Sequence, residues 1–285
     1  MPELPEVETV RRMIAAHAVG RKVARVWRSR HRLHTASKTR LDRGLEGRTL
    51  ERMDRRGKYL LFGFDDDRWL LSHLGMSGRW LFHERPTSPR PAHVHAILEF
   101  ADGSALWFQD PRRFGQLRTL TGAQLEQDPS LGLLGPDPIA SPPTGRELAA
   151  RAQGLRSSIK NFLLDQRRIA GIGNIYASEV LFRSGVDPRR PTGRVSPEEW
   201  NRIARDICQV LGEAIDRMGT TFSSYRTLWN EPGQYGDQLR VYDRGGQPCR
   251  ACGTAVRRIV QGARSTFFCP RCQPRGASKR RSSAR

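Results

Sequence analysis

Apolar residues recur at helical spacing over residues 5–19, where Val7, Val10, Ile14 and Ala18 share one face, with prolines before the run and Gly20 after it. An amphipathic helix therefore opens the chain. From about residue 22 to 120 the pattern changes to short runs rich in Val, Leu, Phe and Trp, such as YLLFGF, RWLLSHLG, HAILEF and ALWFQD, punctuated by Asp, Gly and Pro. Runs of that length predict strands, and their number predicts a β-sandwich. The segment 129–145 (PSLGLLGPDPIASPPTG) breaks both periodicities and marks a domain boundary, where a hinge would let two halves close on a ligand. Residues 145–218 read as helical. Ser157 and Ser158 can cap a helix carrying Ile159, Phe162 and Leu163, and Asn174 another carrying Ile175, Val180 and Leu181. The expected organisation is a helix and sandwich over 1–130, a linker over 131–145, a helical domain over 146–240, a small hairpin over 241–273 and a disordered basic tail over 274–285. The fold class is α+β and multidomain.

Charge narrows the choice of partners. The formal net charge is +20, and residues 244–285 hold eleven Lys or Arg with no Asp or Glu, over half of that excess. A polyanion partner is expected, nucleic acid above all. On charge alone RNA or an anionic membrane surface stays open, as does a surface that merely keeps the protein soluble. No stretch approaches the ~18 apolar residues that span a bilayer, and Glu3, Glu6 and Glu8 stand where a signal peptide would be positive. A cytoplasmic protein with no membrane association is expected, with a monomer as the default state.

Five cysteines are present, four of them between 249 and 272. Cys249-Arg-Ala-Cys252 and Cys269-Pro-Arg-Cys272 form two C-x-x-C knuckles with zinc-site spacing, each able to grip one ion with two thiolates from a tight turn. With all four positions protein-filled, the expected ion is a single structural Zn2+ and not a catalytic one. Arg257, Arg258 and Arg264 on the intervening ribbon would then face a nucleic-acid backbone. Cys208 falls in a helical pattern and reads as inert core.

Pro2 directly follows Met1, and a small second residue permits removal of the initiator, which leaves a secondary amine. Proline is common in a helix's first turn, and alone it would need no further reading. Its company changes the picture, because Glu3 lies beside that amine and an α-amine titrates near pKa ~8, so a neutral nucleophilic fraction exists at physiological pH.

Five separated motifs, MPELPEVETV, HLGMSG, DPRRFG, GIGNIYASE and the paired cysteines, resemble those of bacterial formamidopyrimidine-DNA glycosylases, in the family's order and over nearly the whole chain to Cys272. The resemblance implies a helix-two-turn-helix in the helical domain and a zinc ribbon after it. It also implies a bifunctional DNA glycosylase and AP lyase that flips an oxidised purine out of duplex DNA. Pro2 would form the Schiff base and Glu3 act as general acid/base. Lys58 would assist β-elimination, and Arg264 would clamp the flanking phosphate and serve δ-elimination. Met76, Arg112 and Phe114 match the residues that fill the void left by the flipped base, which is apt chemistry for an adaptable thioether, a guanidinium donor and an aromatic wedge. Asn174 and Tyr242 match phosphate-contacting positions, and Arg113 and His73 each offer a phosphate contact or bracing.

The family's HDHV pattern keeps only His93 within RPAHVHA, which retains His93 as a DNA-contact candidate. Pro91 stands where the first histidine would lie, so no contact is carried onto that position. Thr220 to Tyr225 resembles the start of a lesion-capping loop, but Trp229-Asn230-Glu231-Pro232 departs from the pattern, which puts lesion preference in doubt. The competing readings are the endonuclease VIII branch acting on oxidised pyrimidines, a DNA-binding member that does not cut, and a generic zinc-ribbon module. The intact PELPEVET start and RRFG wedge speak against the first, the presence of Pro2, Glu3 and Lys58 against the second. The third leaves the N-terminal motif unexplained.

Overall fold

The computed structural model describes residues 1–31, 33, 41, 43–86, 90–221 and 225–275. The chain opens with α1 (Leu4–Ala18), on which Val7, Val10, Ile14 and Ala18 are at most 1% exposed. Burying such a Val or Ile side chain stabilises by roughly 1.5–3 kcal/mol, so this face fastens the helix to the sandwich beneath it. Eight strands follow: β1 (Val23–Arg28), β2 (Leu50–Arg56), β3 (Tyr59–Phe64), β4 (Arg68–His73), β5 (Arg79–His83), β6 (Val94–Phe100), β7 (Ala105–Gln109) and β8 (Gln116–Thr121). They form two four-stranded antiparallel sheets, in the orders β1-β6-β7-β5 and β2-β3-β4-β8.

The near-continuous apolar runs arise because several strands bury both faces. Leu60, Phe62, Phe64 and Leu70 join Leu98, Leu106 and Phe108 in one core with the helix. On the reverse face of their sheet Leu61, Trp69, Leu71 and Leu120 pack with Leu131 of α3 (Pro129–Gly132), which follows the short α2 (Gly122–Glu126). Val94, Ile97, Ala105 and Trp107 form a separate cluster on the outer face of the other sheet.

The remaining elements are α4 (Gly145–Ala152), α5 (Ile159–Leu164), α6 (Asn174–Arg183), α7 (Pro197–Asp216) and a two-stranded ribbon of β9 (Arg257–Gln261) and β10 (Arg264–Phe268). Ser158 caps α5, its hydroxyl accepting from the Asn161 amide at 3.3 Å. Asn174 does not cap α6 as expected. Gly173 takes the extended cap position, and the Asn174 side-chain amide donates instead to the Ser265 carbonyl at 2.9 Å. A long-range acceptor has won over a local one.

Two compact units result: residues 1–137 with 211–237, and residues 138–210 with 238–285. The expectation placed 211–237 within the helical domain, but this stretch packs with the first unit. Tyr225 and Leu228 enter the sandwich core, the Phe82 amide donates to the Leu228 carbonyl at 3.1 Å, and the Thr220 amide donates to Glu6 at 2.8 Å. None of these partners is local in sequence. Within the second unit Ile159, Phe162, Tyr176, Val180, Leu181 and Ile207 are at most 1% exposed, and Phe162 meets Trp200 edge-on at 5.3 Å. No helix among the described residues is long and apolar enough to cross a membrane.

Candidate active site and metal centre

At the start of α1 Pro2 and Glu3 are buried, and Pro5 sits in the first turn, where its missing N–H costs nothing. The Glu3 amide donates to Glu6 Oε2 at 2.7 Å, while Glu6 Oε1 accepts from the Thr220 amide at 2.8 Å. One buried carboxylate thus joins the helix start to residues 219–221, and Gly219 makes room for it. Its φ is +77°, and a Cβ there would lie 2.7 Å from Glu6 Oε1. Of the stretch from Thr220 to Tyr225 that resembles the start of a lesion-capping loop, residues 222–224 lie outside the described residues.

Lys58 is buried in the tight turn between β2 and β3. Buried ion pairs fix that turn. Arg55 donates to Glu8 Oε2 on α1 at 2.8 Å and pairs with Asp137, which also accepts from the Gly57 amide at 3.0 Å. Burial pushes the Glu8 carboxyl up, but hydrogen bonds from Arg11, Arg55 and Arg12 together outweigh it and hold it at about 2. The Met1 amine, one residue before Pro2, responds to the same neighbourhood. Burial lowers its pKa, Glu3 and Glu6 raise it, and Lys58 and Arg112 lower it further. Glu3, Glu6, Lys58 and Arg112 therefore share one electrostatic environment around the amine.

Arg112 belongs to a loop built on Asp110, whose fully buried carboxylate accepts from the Ser77 hydroxyl and from the Gly115 amide at 2.7 Å. The Ser77 oxygen in turn accepts from the Arg112 amide at 3.2 Å, and the Arg113 amide reaches the Asp110 carbonyl at 3.1 Å. These bonds lock DPRRFG against HLGMSG. At Gly75, with φ +61°, a Cβ would come within 2.5 Å of the Phe114 carbonyl group. Met76 and Phe114 are each 39% exposed, which removes them from the core, and the Arg112 guanidinium lies 4.8 Å from the Phe114 ring centroid. Arg113 and His93 are exposed, both with positive φ. His73 accepts from the Gly75 amide through Nδ1 at 3.1 Å. Although its ring keeps some exposure, burial first and the Lys58 cation second push its pKa down to about 4.

In the second unit Arg264 is exposed at the start of β10. The next residue's carbonyl, that of Ser265, accepts from both Asn174 Nδ2 at 2.9 Å and Lys160 Nζ at 3.0 Å, and Lys160 also donates to the Thr266 hydroxyl at 2.6 Å. Lys160 is fully buried. Glu179 accepts from the amides of Arg240, Val241 and Tyr242 at 2.8, 3.0 and 2.8 Å, which seats Tyr242 with its ring 5.3 Å from Phe267. Burial raises the Glu179 carboxyl pKa against the pull of those three amides. The Sγ atoms of Cys249, Cys252, Cys269 and Cys272 lie within 4.8 Å of one another. The Ala251 amide points at Cys249 Sγ, 3.4 Å away, and the Cys272 amide at Cys269 Sγ, 3.5 Å away. Four soft donors that close together fit one tetrahedral structural zinc ion.

Sequence reasoning assigned no role to Ser77, Asp110, Asp137, Lys160 or Glu179. Each is a polar residue with its side chain at most 9% exposed and satisfied by a partner distant in sequence. A lone Asp or Lys inside a motif carries no signal of such a bond.

Residues 1–117 match the model of the formamidopyrimidine-DNA glycosylase N-terminal domain, residues 134–226 that family's H2TH domain, and residues 246–275 a zinc finger found in FPG and IleRS. This chain belongs to the formamidopyrimidine-DNA glycosylase family. The formamidopyrimidine-DNA glycosylase of Methylococcus capsulatus is 43% identical over 273 residues, which cover 96% of this chain and 100% of that one; that of Pseudomonas aeruginosa is 42% identical with the same coverage. Among solved structures, the MutM (FPG) protein of Thermus thermophilus superimposes with a TM-score of 0.84 at 39% identity, covering 97% of this chain and 100% of that one. A Lactococcus lactis FPG in complex with DNA containing an abasic site gives 0.85 at 31% identity, covering 95% and 99%. As a glycosylase-family fold, helix, sandwich, H2TH region and zinc finger follow one another here in the expected order.

Proposed function

We propose that the chain excises oxidised purines, formamidopyrimidines and 8-oxoguanine, from duplex DNA and then cuts the strand at the resulting abasic sugar. The observation that carries this reading is the match of residues 1–117 to the family's N-terminal domain, within which Pro2, Glu3 and Lys58 are buried and the Met1 amine that precedes Pro2 feels Glu3, Lys58 and Arg112. With Met1 removed, the Pro2 nitrogen attacks C1′, the bond to the damaged base breaks and the base leaves with a proton. Glu3 protonates the ring oxygen as the sugar opens, giving an iminium joined to Pro2. The iminium is an electron sink, so loss of a proton from C2′ expels the 3′ phosphate, and a second elimination expels the 5′ phosphate. Lys58 serves the first elimination and Arg264 clamps the phosphate for the second.

Met76, Arg112 and Phe114 enter the gap that the flipped nucleotide leaves, with Arg112 donating to the estranged cytosine. Arg113, His93, Asn174 and Tyr242 hold the backbone, and His73, neutral at physiological pH, braces the turn below Met76. Damaged duplex DNA is the partner, engaged by a monomer in the cytoplasm. A complex of a relative with Fapy-dG-containing DNA supports the substrate class.

Borohydride trapping tests the reading on a duplex with 8-oxoguanine opposite cytosine, with intact-mass measurement confirming that Met1 is gone. A covalent adduct that is weakened in Pro2→Gly, whose primary α-amine is a poorer substitute for the proline nitrogen, is expected. An adduct only on oxidised pyrimidines would move the chain to the endonuclease VIII branch, and none on either would leave a binding protein.

A further inference from the structure

The second unit contains a cleft of about 960 Å³ that the chemistry above leaves unused, framed by the segment between α6 and α7 and the first turn of α7. Five arginines line it. Two of them are ordered in advance: Arg189 is ion-paired with Asp187 and stacks 4.7 Å from the Phe268 ring centroid, and Arg190 is ion-paired with Glu199. The side chains of Asp187 and Glu199 are only 1% and 14% exposed, so both carboxylates are used up in orienting guanidinium groups. Arg202 donates to the Ser184 carbonyl at 3.1 Å while its side chain stays 42% exposed. Arg194 and Arg275 are exposed, and their side chains make no hydrogen bond or ion pair with the described residues. The cleft is thus a cationic wall with two unengaged anchors. The ten residues that follow Arg275 add four Lys or Arg and no acid, so they offer no carboxylate to these arginines.

Guanidinium forks select carboxylates or phosphates. The rest of the lining distinguishes the two, because exposed Glu198, which accepts from the Ser196 hydroxyl at 2.7 Å, presents a carboxylate to the same cleft. A DNA backbone carries only acceptors and would meet that group with repulsion. An acidic peptide carries carboxylates for the arginines and backbone N–H donors for Glu198. A concave site of this volume also suits a short extended segment better than the convex face of a duplex. We propose that this cleft docks an acidic, extended segment of a partner protein, with Arg194 and Arg275 as its anchors.

Fluorescence anisotropy on the full chain tests this, with a labelled peptide of four Asp and Glu spaced by Gly and Ser. The protein is first saturated with a duplex carrying a non-cleavable abasic analogue, so that its DNA surface is occupied. The peptide is expected to bind the loaded protein and its Asn/Gln counterpart to fail. An Arg194→Glu, Arg275→Glu double variant should weaken binding at least tenfold while excising 8-oxoguanine at the unaltered rate, which also reports that it folds. A milder Arg194→Gln, Arg275→Gln pair repeats the measurement if the first is unstable. Unchanged peptide affinity in a folded variant overturns the proposal. So does displacement of the peptide by the lesion duplex, which would mean that it had borrowed the DNA surface. A single-stranded oligonucleotide that outcompetes the unlabelled peptide would assign the cleft to nucleic acid.

Discussion

Glu3, Glu6 and Glu8 lie within six residues of one another, yet their partners assign them different work. Glu6 has both oxygens on backbone amides and Glu8 is held by three arginines, whereas Glu3 is the carboxylate proposed above for acid/base duty. Glu3→Gln should lower base excision by at least ~10²-fold, the scale of general acid catalysis, while duplex binding by gel shift is retained; normal excision would sink the assignment. The titrations of Glu8 and His73 set separate pH windows. His73 falls from 6.5 to about 4 on folding, so between those values the unfolded chain takes up a proton that the folded ring refuses, and stability drops as pH falls through that range. Glu8 falls from 4.5 to about 2, so its contribution is intact above 4.5 and is lost further down. His73→Gln should flatten the fall in urea midpoint between pH 6.5 and 4 without altering the step below it; an unchanged curve in the upper window would assign that loss elsewhere.

At the level of elements, the two loops that meet at Gly75 act as one unit because Asp110 and Ser77 bond them and the glycine leaves no room for a side chain. Gly75→Ala should destabilise by about 1–3 kcal/mol, the range of a strained backbone position, measured by urea unfolding. Gly20→Ala is the control, since that residue also has positive φ but nothing within 4 Å of the added methyl. Arg112→Ala should leave folding intact but relax the preference for cytosine opposite the lesion by about 1–3 kcal/mol, read as the ratio of excision rates opposite cytosine and adenine. Helix α1 and strands β3, β4, β6 and β7 were legible in the sequence because their apolar periodicity is local. The exposed Met76, Arg112 and Phe114, proposed as the void-filling set, could be picked out through their motifs. The Asn174 contact, the bond from Ser77 to the Asp110 scaffold and the return of residues 211–237 to the first unit were not legible, since each depends on a hydrogen bond or core contact between residues far apart in the chain.

For the whole molecule, the basic ribbon depends on its metal. Beyond the cysteines, its cluster holds three apolar residues at most 5% exposed, Val241, Val256 and Phe267, too small a core to stand without cross-links. Chelation of zinc should therefore unfold the ribbon, withdraw Arg264 and weaken duplex binding at least tenfold, while far-ultraviolet circular dichroism keeps the sandwich signal; undiminished binding by the metal-free protein would separate the ribbon from DNA recognition. Peroxide converts thiolates to sulfenic acid or disulfide, and such a change at any of the four would remove a zinc donor. Oxidants that create the lesions can therefore disarm the protein that removes them, so repair capacity would fall when damage peaks and recover only as thiol reductants and free zinc return.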